Sequence, residues 1–102
     1  MLLAAPAAAQ PEARPPPFML MNLGPETITA VELSPAGEGR YGPSLIGRVE
    51  LPPGNALHLT PPRDTACLND LRVRWSGGRS EERRREDLCE ARRLLRLSSP
   101  PP

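Results

Sequence analysis

The sequence predicts an all-β fold, a small antiparallel β-sandwich or barrel of about six to seven short strands. Short apolar segments with alternating polarity recur along the chain, and Gly and Pro turn signals separate them. With 102 residues the chain has room for one domain, which we expect at residues 18–97. Residues 1–9 are predicted to be a truncated signal-peptide remnant, residues 10–17 a Pro-rich linker and residues 98–102 a disordered tail.

The N-terminal segment and the cysteines together predict an exported protein. Residues 2–9 are small and apolar and end in an Ala-x-Ala pattern, which is typical of a signal peptide cleaved before Gln10. The chain has two cysteines, and paired cysteines indicate an oxidising compartment. We therefore expect a periplasmic or secreted protein. No apolar segment of the sequence is long enough to span a bilayer.

Two strands are predicted in the first third of the chain. Residues 18–23 form a short apolar run, which suits a strand covered on both faces. Gly24 and Pro25 mark the turn that follows. Residues 27–33 are rich in β-branched side chains, but their apolar phase changes near Ala30, and a β-bulge there would reconcile the two halves.

The middle of the chain is predicted to hold a long loop and two strands. Residues 34–44 contain three glycines and two prolines, which indicates the loop. Residues 45–51 alternate in polarity, with Val49 pointing inward. After the turn at residues 52–55, Leu57 and Leu59 point inward on the next strand and His58 points outward.

A β-hairpin is predicted from Cys67 to Cys89. Apolar side chains alternate along its first arm, up to Trp75. If residues 77–79 form the loop, Ser76 faces Ser80 and Cys67 lies opposite Cys89, which is the geometry of a cross-strand disulfide. Such a bridge contributes roughly 3 kcal/mol of stability, mainly by restricting the unfolded chain.

Residues 80–97 have two interpretations. The segment is built from good helix formers, Ser80 is a suitable N-cap, and Leu88, Ala91 and Leu95 would form an apolar stripe. The Gly-Gly turn and the cysteine register instead favour a strand to about Cys89, with a last strand over residues 92–97. We favour strands, and the amphipathic helix is the alternative.

The predicted core contains the inward-pointing side chains of these strands. They are Leu20, Ile28, Val49, Leu57, Leu59, Leu71, Val73 and Trp75.

The order of short motifs resembles a group of small exported bacterial proteins of unassigned function, often labelled as twin-arginine (Tat) signal domain proteins. The motifs are Phe18-x-Leu20-x-Asn22, Ile28-x-x-Val31-x-Leu33-Ser34-Pro35, Tyr41-Gly42-x-x-Leu45, Leu51-Pro-x-Gly54, Cys67-Leu-x-Asp70-Leu-Arg-Val, Gly78 and Asp87-Leu-Cys89. The resemblance covers residues 18–89. It implies an exported, disulfide-bearing β-domain in which residues 80–89 form a strand, and it implies no catalytic residues.

The charge pattern argues against a nucleic-acid or membrane-surface partner. All thirteen basic residues are arginine, and twelve acidic residues nearly cancel them, for a net charge of +1. The block Arg83 to Arg85 is flanked by Glu81, Glu82, Glu86 and Asp87. We therefore interpret it as a solvated, ion-paired face and not as a phosphate site.

Four residues are singled out as polar sites. Arg40 and Tyr41 lie at the tip of the glycine-rich loop 37–42, which makes them the best candidates for a recognition loop. Asn22 interrupts an otherwise apolar strand, so its amide is expected to pin a turn or a neighbouring loop. Asp70 is expected to pair with a nearby arginine.

The sequence predicts a non-enzymatic binding protein. It contains no G-x-S-x-G motif, and two distant cysteines with the lone His58 fall short of a zinc set, so no catalytic residue, cofactor or metal is predicted. We expect an exported domain that binds an envelope protein or a small ligand. One alternative is an intracellular adaptor that docks through a helix over residues 80–97. A weaker alternative is a small-ligand or metal-binding module built on loop 37–42.

Overall fold

A computed structural model describes residues 15–90 and 94–97. These residues form an all-β fold of six strands in two three-stranded sheets, which confirms the predicted fold class. The strands are β1 (Phe18–Asn22), β2 (Ile28–Pro35), β3 (Ala56–Leu59), β4 (Leu68–Trp75), β5 (Ser80–Asp87) and β6 (Leu94–Leu97). The predicted signal-peptide remnant, most of the predicted linker and the predicted tail lie outside the described residues.

The first sheet has the order β3-β1-β6. β1 pairs antiparallel with β3, where Phe18 faces Leu59, and parallel with β6, where Asn22 faces Leu97. The β1–β6 pair is thus a parallel exception in a described fold whose other strand pairs are antiparallel, as predicted. Because β1 lies between β3 and β6, its backbone pairs with a strand on each edge. Its alternate side chains point into the core.

The second sheet has the order β2-β4-β5, with both pairs antiparallel. The predicted bulge in β2 is confirmed, because Ile28 faces Trp75 while Ala30 faces Arg74, leaving Thr29 as the extra residue. The bulge allows both Ile28 and Val31 to point into the core, where each is fully buried.

One hydrophobic cluster joins the two sheets. Its buried members are Phe18, Leu20, Ile28, Val31, Ile46, Leu51, Leu59, Leu71, Val73, Trp75, Leu88 and Leu97, and Leu57 packs against them. The prediction is confirmed for seven of its eight residues, all except Val49. With one tryptophan and one phenylalanine in the cluster, aliphatic side chains make up most of this core.

The predicted strand over residues 45–51 is wrong, and Val49 is 54% exposed. Residues 45–48 form turns, in which the Gly47 N–H donates to the Ser44 carbonyl and the Val49 N–H to the Ile46 carbonyl. Gly47 adopts the left-handed conformation, with φ at 58°, which a continuing strand excludes. Leu51 makes a single bridge to Ile28.

The helical alternative for residues 80–97 is also wrong within the described part of that segment. β5 pairs with β4, and residues 94–97 form β6 beside β1. The strand alternates in burial, with Glu81 and Arg83 half-buried and Glu82 and Arg84 exposed. Pairing in a sheet thus overrides the helical propensity of this charged sequence. Residues 91–93 lie outside the described part.

The hairpin register differs from the predicted one although the disulfide is present. Arg74, and not Ser76, faces Ser80, so that five residues, and not the predicted three, separate the paired positions. Between Asn69 and Leu71 the register shifts, so that Arg84 and Arg85 together oppose Asp70. This bulge reduces the difference between the observed and the predicted register from two residues to one.

Cys67 and Cys89 form the predicted disulfide, with their Cα atoms 5.1 Å apart. The bridge lies just beyond the paired part of the hairpin, where the Leu88 N–H donates to the Cys67 carbonyl. It therefore closes the open end of β4 and β5.

Candidate functional site

The predicted recognition loop is fixed to the sheet beneath it at several points. The buried Ser34 hydroxyl accepts a hydrogen bond from the Arg40 N–H at 2.9 Å. The Gly42 N–H donates to the Leu33 carbonyl at 2.9 Å. Gly37 and Gly39 both adopt left-handed backbone conformations, which allow the chain to reverse. The loop is thus a pre-formed feature of the surface.

Asp70 joins this loop to the hairpin. Its side chain is buried, and its two carboxylate oxygens accept from the Gly37 N–H and the Arg85 N–H, each at 3.0 Å. The expected partner was an arginine side chain, but the carboxylate binds backbone amides instead. These two hydrogen bonds, first that of Gly37, lower the pKa of Asp70 below its ordinary value of 3.8.

The Arg85 contact explains the bulge in β5. Arg85 has a φ of 57°, in the left-handed region that a side chain rarely adopts. This conformation places its N–H on the Asp70 carboxylate. Asp70 therefore stabilises two irregular backbone segments at once, the loop turn at Gly37 and the strand bulge at Arg85.

Tyr41 lies against Arg72, on the solvent-facing side of β4. The Arg72 guanidinium carbon is 4.2 Å from the centre of the Tyr41 ring, which is cation–π geometry. Arg72 Nε donates to a Glu32 oxygen at 2.8 Å, and this contact lowers the pKa of Glu32. Partial burial, with the charge of Glu82 adding to it, raises the pKa of Tyr41, so its hydroxyl keeps its proton at neutral pH.

These side chains surround an open cavity of about 300 Å³, which we call the polar cleft. The loop contributes one wall, which contains Gly37, Glu38, Gly39 and Tyr41. β4 and β5 contribute the other side, which contains Asp70, Arg72, Glu82 and Arg84. Sequence reasoning identified Tyr41 here but missed Arg72, and it also missed Glu32, which holds Arg72 from outside the cleft. The sequence signal that could have identified them is that Glu32 and Arg72 each alternate with apolar residues, on two strands that pair with each other.

Arg40 belongs to a different cavity, on the other side of the loop. This apolar groove has a volume of about 330 Å³ and is lined by Leu33, Pro35, Pro43, Leu45 and Pro62, with Arg40 and Asp64 among its polar members. Arg40 is exposed and forms an ion pair with Glu38. The structure therefore separates Arg40 from Tyr41, although the two residues are neighbours in sequence.

Asn22 is fully buried and makes three hydrogen bonds. Its Nδ2 donates to the Glu26 carbonyl at 2.8 Å and to the Leu51 carbonyl at 2.9 Å. Its Oδ1 accepts from the Gly24 N–H at 2.8 Å. The amide thus ties the turn after β1 to the segment that bridges β2, and it faces neither the cleft nor the groove.

The remaining candidates lie apart from one another. His58 is exposed on β3, in the other sheet. Within the arginine block, Arg83 points to the same side of its sheet as Leu71, whereas Arg84 lines the polar cleft and pairs with Glu82 at 3.3 Å. The block is therefore divided between two faces of the hairpin.

The disulfide occupies the one group of three potential metal ligands found among residues 15–90 and 94–97. This group consists of Cys67, Asp87 and Cys89, with ligand atoms within 4.8 Å of one another. Metal binding requires cysteine thiolates, and the two sulfurs are bonded to each other. In its oxidised form this group cannot act as a metal site.

The chain matches no family model, no curated protein and no solved structure in our comparisons. The resemblance to small exported bacterial proteins therefore remains an expectation from the sequence. Over the residues that the structure covers, no helix is long and apolar enough to cross a membrane.

Proposed function

We propose that this chain is an exported, non-enzymatic binding domain of the bacterial cell envelope, which recognises its partner with loop 37–42 and the polar cleft beside it. The observation that carries the proposal is the anchored loop. A segment with two left-handed glycines is held in place by Ser34 and Asp70, and it presents Tyr41 at a concave polar surface. Rigid loops on a β-scaffold are a common location for binding residues.

The disulfide supports the location. A bridge between Cys67 and Cys89 forms and persists in an oxidising compartment, such as the periplasm or the extracellular space. A domain of this size buries a limited fraction of its surface, and a covalent link offsets that limit. The disulfide is therefore consistent with the proposed export.

Fixed geometry supports binding by the cleft. The Arg72 guanidinium is held between the Tyr41 ring and the Glu32 carboxylate. Side chains that are already ordered lose little conformational entropy when a partner binds. The same argument does not extend to Arg40, which is exposed and pairs with the exposed Glu38 on its own loop.

Two single substitutions test the proposal. The oxidised domain is immobilised and exposed to an envelope extract of the host, and the captured partner is quantified for the wild type, Tyr41→Ala and Arg40→Ala. We expect Tyr41→Ala to reduce capture roughly tenfold, as loss of an aromatic contact does, and Arg40→Ala to change it little. His58→Ala, on the opposite sheet, is the matched control.

Each variant is first checked for an intact disulfide and an unchanged melting temperature. If neither Tyr41→Ala nor Arg40→Ala changes capture, the loop is not the recognition surface and the proposal is wrong. If Arg40→Ala alone abolishes capture, binding is by the apolar groove, and the assignment to the polar cleft fails.

A further inference from the structure

We infer that the polar cleft takes a neutral, polyhydroxylated ligand of the saccharide class. The inference rests on the proposed function and names the ligand chemistry of the same site. Three properties of the cleft support it, namely the balance of charge, the hydrogen-bonding groups and the rigidity.

The charges of the cleft disfavour a strongly charged ligand. Three carboxylates line it, those of Glu38, Asp70 and Glu82, together with the guanidinium groups of Arg72 and Arg84. An anion would lie beside the carboxylates and a cation beside the guanidinium groups, and each arrangement places like charges together. A neutral ligand avoids both repulsions.

The cleft offers donors and acceptors in close proximity, which is what a hydroxyl group needs. Arg72 uses its Nε for Glu32, and its two terminal nitrogens make no hydrogen bond to any described residue. Tyr41 keeps its phenolic proton, and Glu82 supplies carboxylate oxygens. A sugar hydroxyl both donates and accepts, so a row of hydroxyls can satisfy such a mixed lining.

The cleft is also rigid at its base. Asp70 holds the Gly37 amide and the Arg85 amide, which fixes the loop wall relative to β5. The volume of about 300 Å³ lies at the lower end of the range for small-molecule sites, roughly 300–1,000 Å³. A sugar ring is a compact ligand that suits a site of this size.

A divalent cation does not fit this site as well. Among the residues that the structure describes, the one group of three potential ligands lies at the disulfide and includes none of the cleft carboxylates. Glu82 is instead paired with Arg84, and both Asp70 oxygens hold backbone amides. The carboxylates of the cleft therefore act as separate hydrogen-bond acceptors.

The test is an NMR titration of the oxidised, ¹⁵N-labelled domain. The neutral probes are N,N′-diacetylchitobiose, cellobiose and maltose, and the charged probes are glucuronate, glucosamine and inorganic phosphate. We expect at least one neutral disaccharide to shift the Gly37, Gly39 and Tyr41 amides saturably, with a dissociation constant of about 1 mM. Glucuronate and glucosamine should bind at least about fivefold more weakly, because each meets like charges.

The variant Glu82→Ala separates the ligand classes. It removes an acceptor, so it should weaken the binding of a neutral saccharide by roughly tenfold. It also removes a negative charge, so it would strengthen the binding of an anion such as phosphate. Glu50→Ala, an exposed carboxylate outside the cleft, is the matched control and should change neither.

The inference is overturned if none of the three disaccharides gives saturable shifts, or if phosphate binds more tightly than all of them and gains affinity in Glu82→Ala. If saccharides fail while partner capture still depends on Tyr41, only the ligand class is wrong. If capture is also independent of Tyr41, the proposed function fails with it.

Discussion

Each of two loops of this domain is held in part by a buried polar side chain, Asn22 for one and Asp70 for the other, and these two anchors work by opposite chemistry. Asn22 is an uncharged amide that donates to two carbonyls and accepts from one N–H. Asp70 is a carboxylate that only accepts, from two backbone N–H groups. The first holds a turn between the sheets, and the second holds the wall of the polar cleft.

This difference determines whether the structure of each region depends on pH. An amide does not titrate, so the Asn22 anchor is the same at every pH at which the chain folds. The Asp70 anchor depends on a negative charge, and its hydrogen bonds are of the stronger, charge-assisted kind. The region proposed to bind is thus the one whose geometry is sensitive to pH, whereas the structural turn is not.

The largest effect is expected at the Asn22 anchor. Asn22→Leu keeps the approximate volume but leaves the Gly24 N–H and the Glu26 carbonyl without the Asn22 amide, whereas the Leu51 carbonyl still accepts from the Ile28 N–H. Each unsatisfied buried group costs about 1–3 kcal/mol, so we expect the free energy of unfolding to fall by about 4 kcal/mol. Urea denaturation measures it. A loss below about 1 kcal/mol would show that Asn22 is not an anchor.

The next effect is expected at the disulfide, which closes the hairpin beyond the Asp70 bulge. The double variant Cys67→Ser, Cys89→Ser should lose roughly 3 kcal/mol of stability. Hydrogen exchange should rise in β4 and β5 near the former bridge and remain unchanged at the Asn22 turn. The reduced wild type is the matched control, and it should show the same loss of stability and the same change in hydrogen exchange as the double variant. Equal stability of oxidised and reduced protein would contradict the account.

A smaller and pH-dependent effect is expected at the Asp70 anchor. Asp70→Asn places an NH₂ group where the carboxylate accepts, so the Gly37 contact or the Arg85 contact is lost. Because the pKa of Asp70 is lowered in the folded state, its stabilisation is present above its ordinary value of 3.8 and is lost as the pH falls through the lower folded value.

The free energy of unfolding of the wild type and of Asp70→Asn, measured from about pH 2 to about pH 7, checks this prediction. The wild type should be more stable at neutral pH, and the difference should shrink in acid. Glu32 also has a lowered pKa, but it is present in both proteins, so the comparison isolates Asp70. A difference that is constant with pH would show that the charge of Asp70 is not what holds the loop.

The smallest effect is expected at the ion pair between Arg79 and Glu26, which spans from the β4–β5 turn to the Asn22 turn at 2.6 Å. Both side chains are partly exposed, and such pairs contribute about 0.2–1 kcal/mol. Arg79→Ala should therefore cost no more than about 0.5 kcal/mol. A loss as large as that of Asn22→Leu would mean that the ion pair, and not the amide, holds the turn.

The sequence predicts most of the fold because the apolar run of β1 and the alternation of apolar residues in β3 and β4 are clear. It predicts the bulge in β2 from the phase change at Ala30. It fails at residues 45–51, where the alternation is present but Ser44 and Gly47 form turns. A two-residue period is typical of a half-buried strand but does not exclude a turn.

The hairpin shows how a correct contact can follow from an incorrect register. Five residues separate Arg74 from Ser80 in place of the predicted three, which moves the pairing by two residues. The bulge opposite Asp70 restores one of them, so Cys67 and Cys89 still approach each other. The bulge could not be predicted, because it depends on the Asp70 carboxylate and a left-handed Arg85. The polar cleft depends on the same contact, which explains why Tyr41 was predicted without Arg72.

An exported, disulfide-closed domain requires that Cys67 and Cys89 are bonded to each other in the native cell. The protein is isolated from its host with free thiols blocked by N-ethylmaleimide and without reductant, and the peptides that contain Cys67 and Cys89 are analysed by mass spectrometry. We predict one linked peptide pair that lacks the two thiol hydrogens and carries no blocking group. Two separate peptides, each carrying the blocking group, would contradict the exported, disulfide-closed binding domain described above.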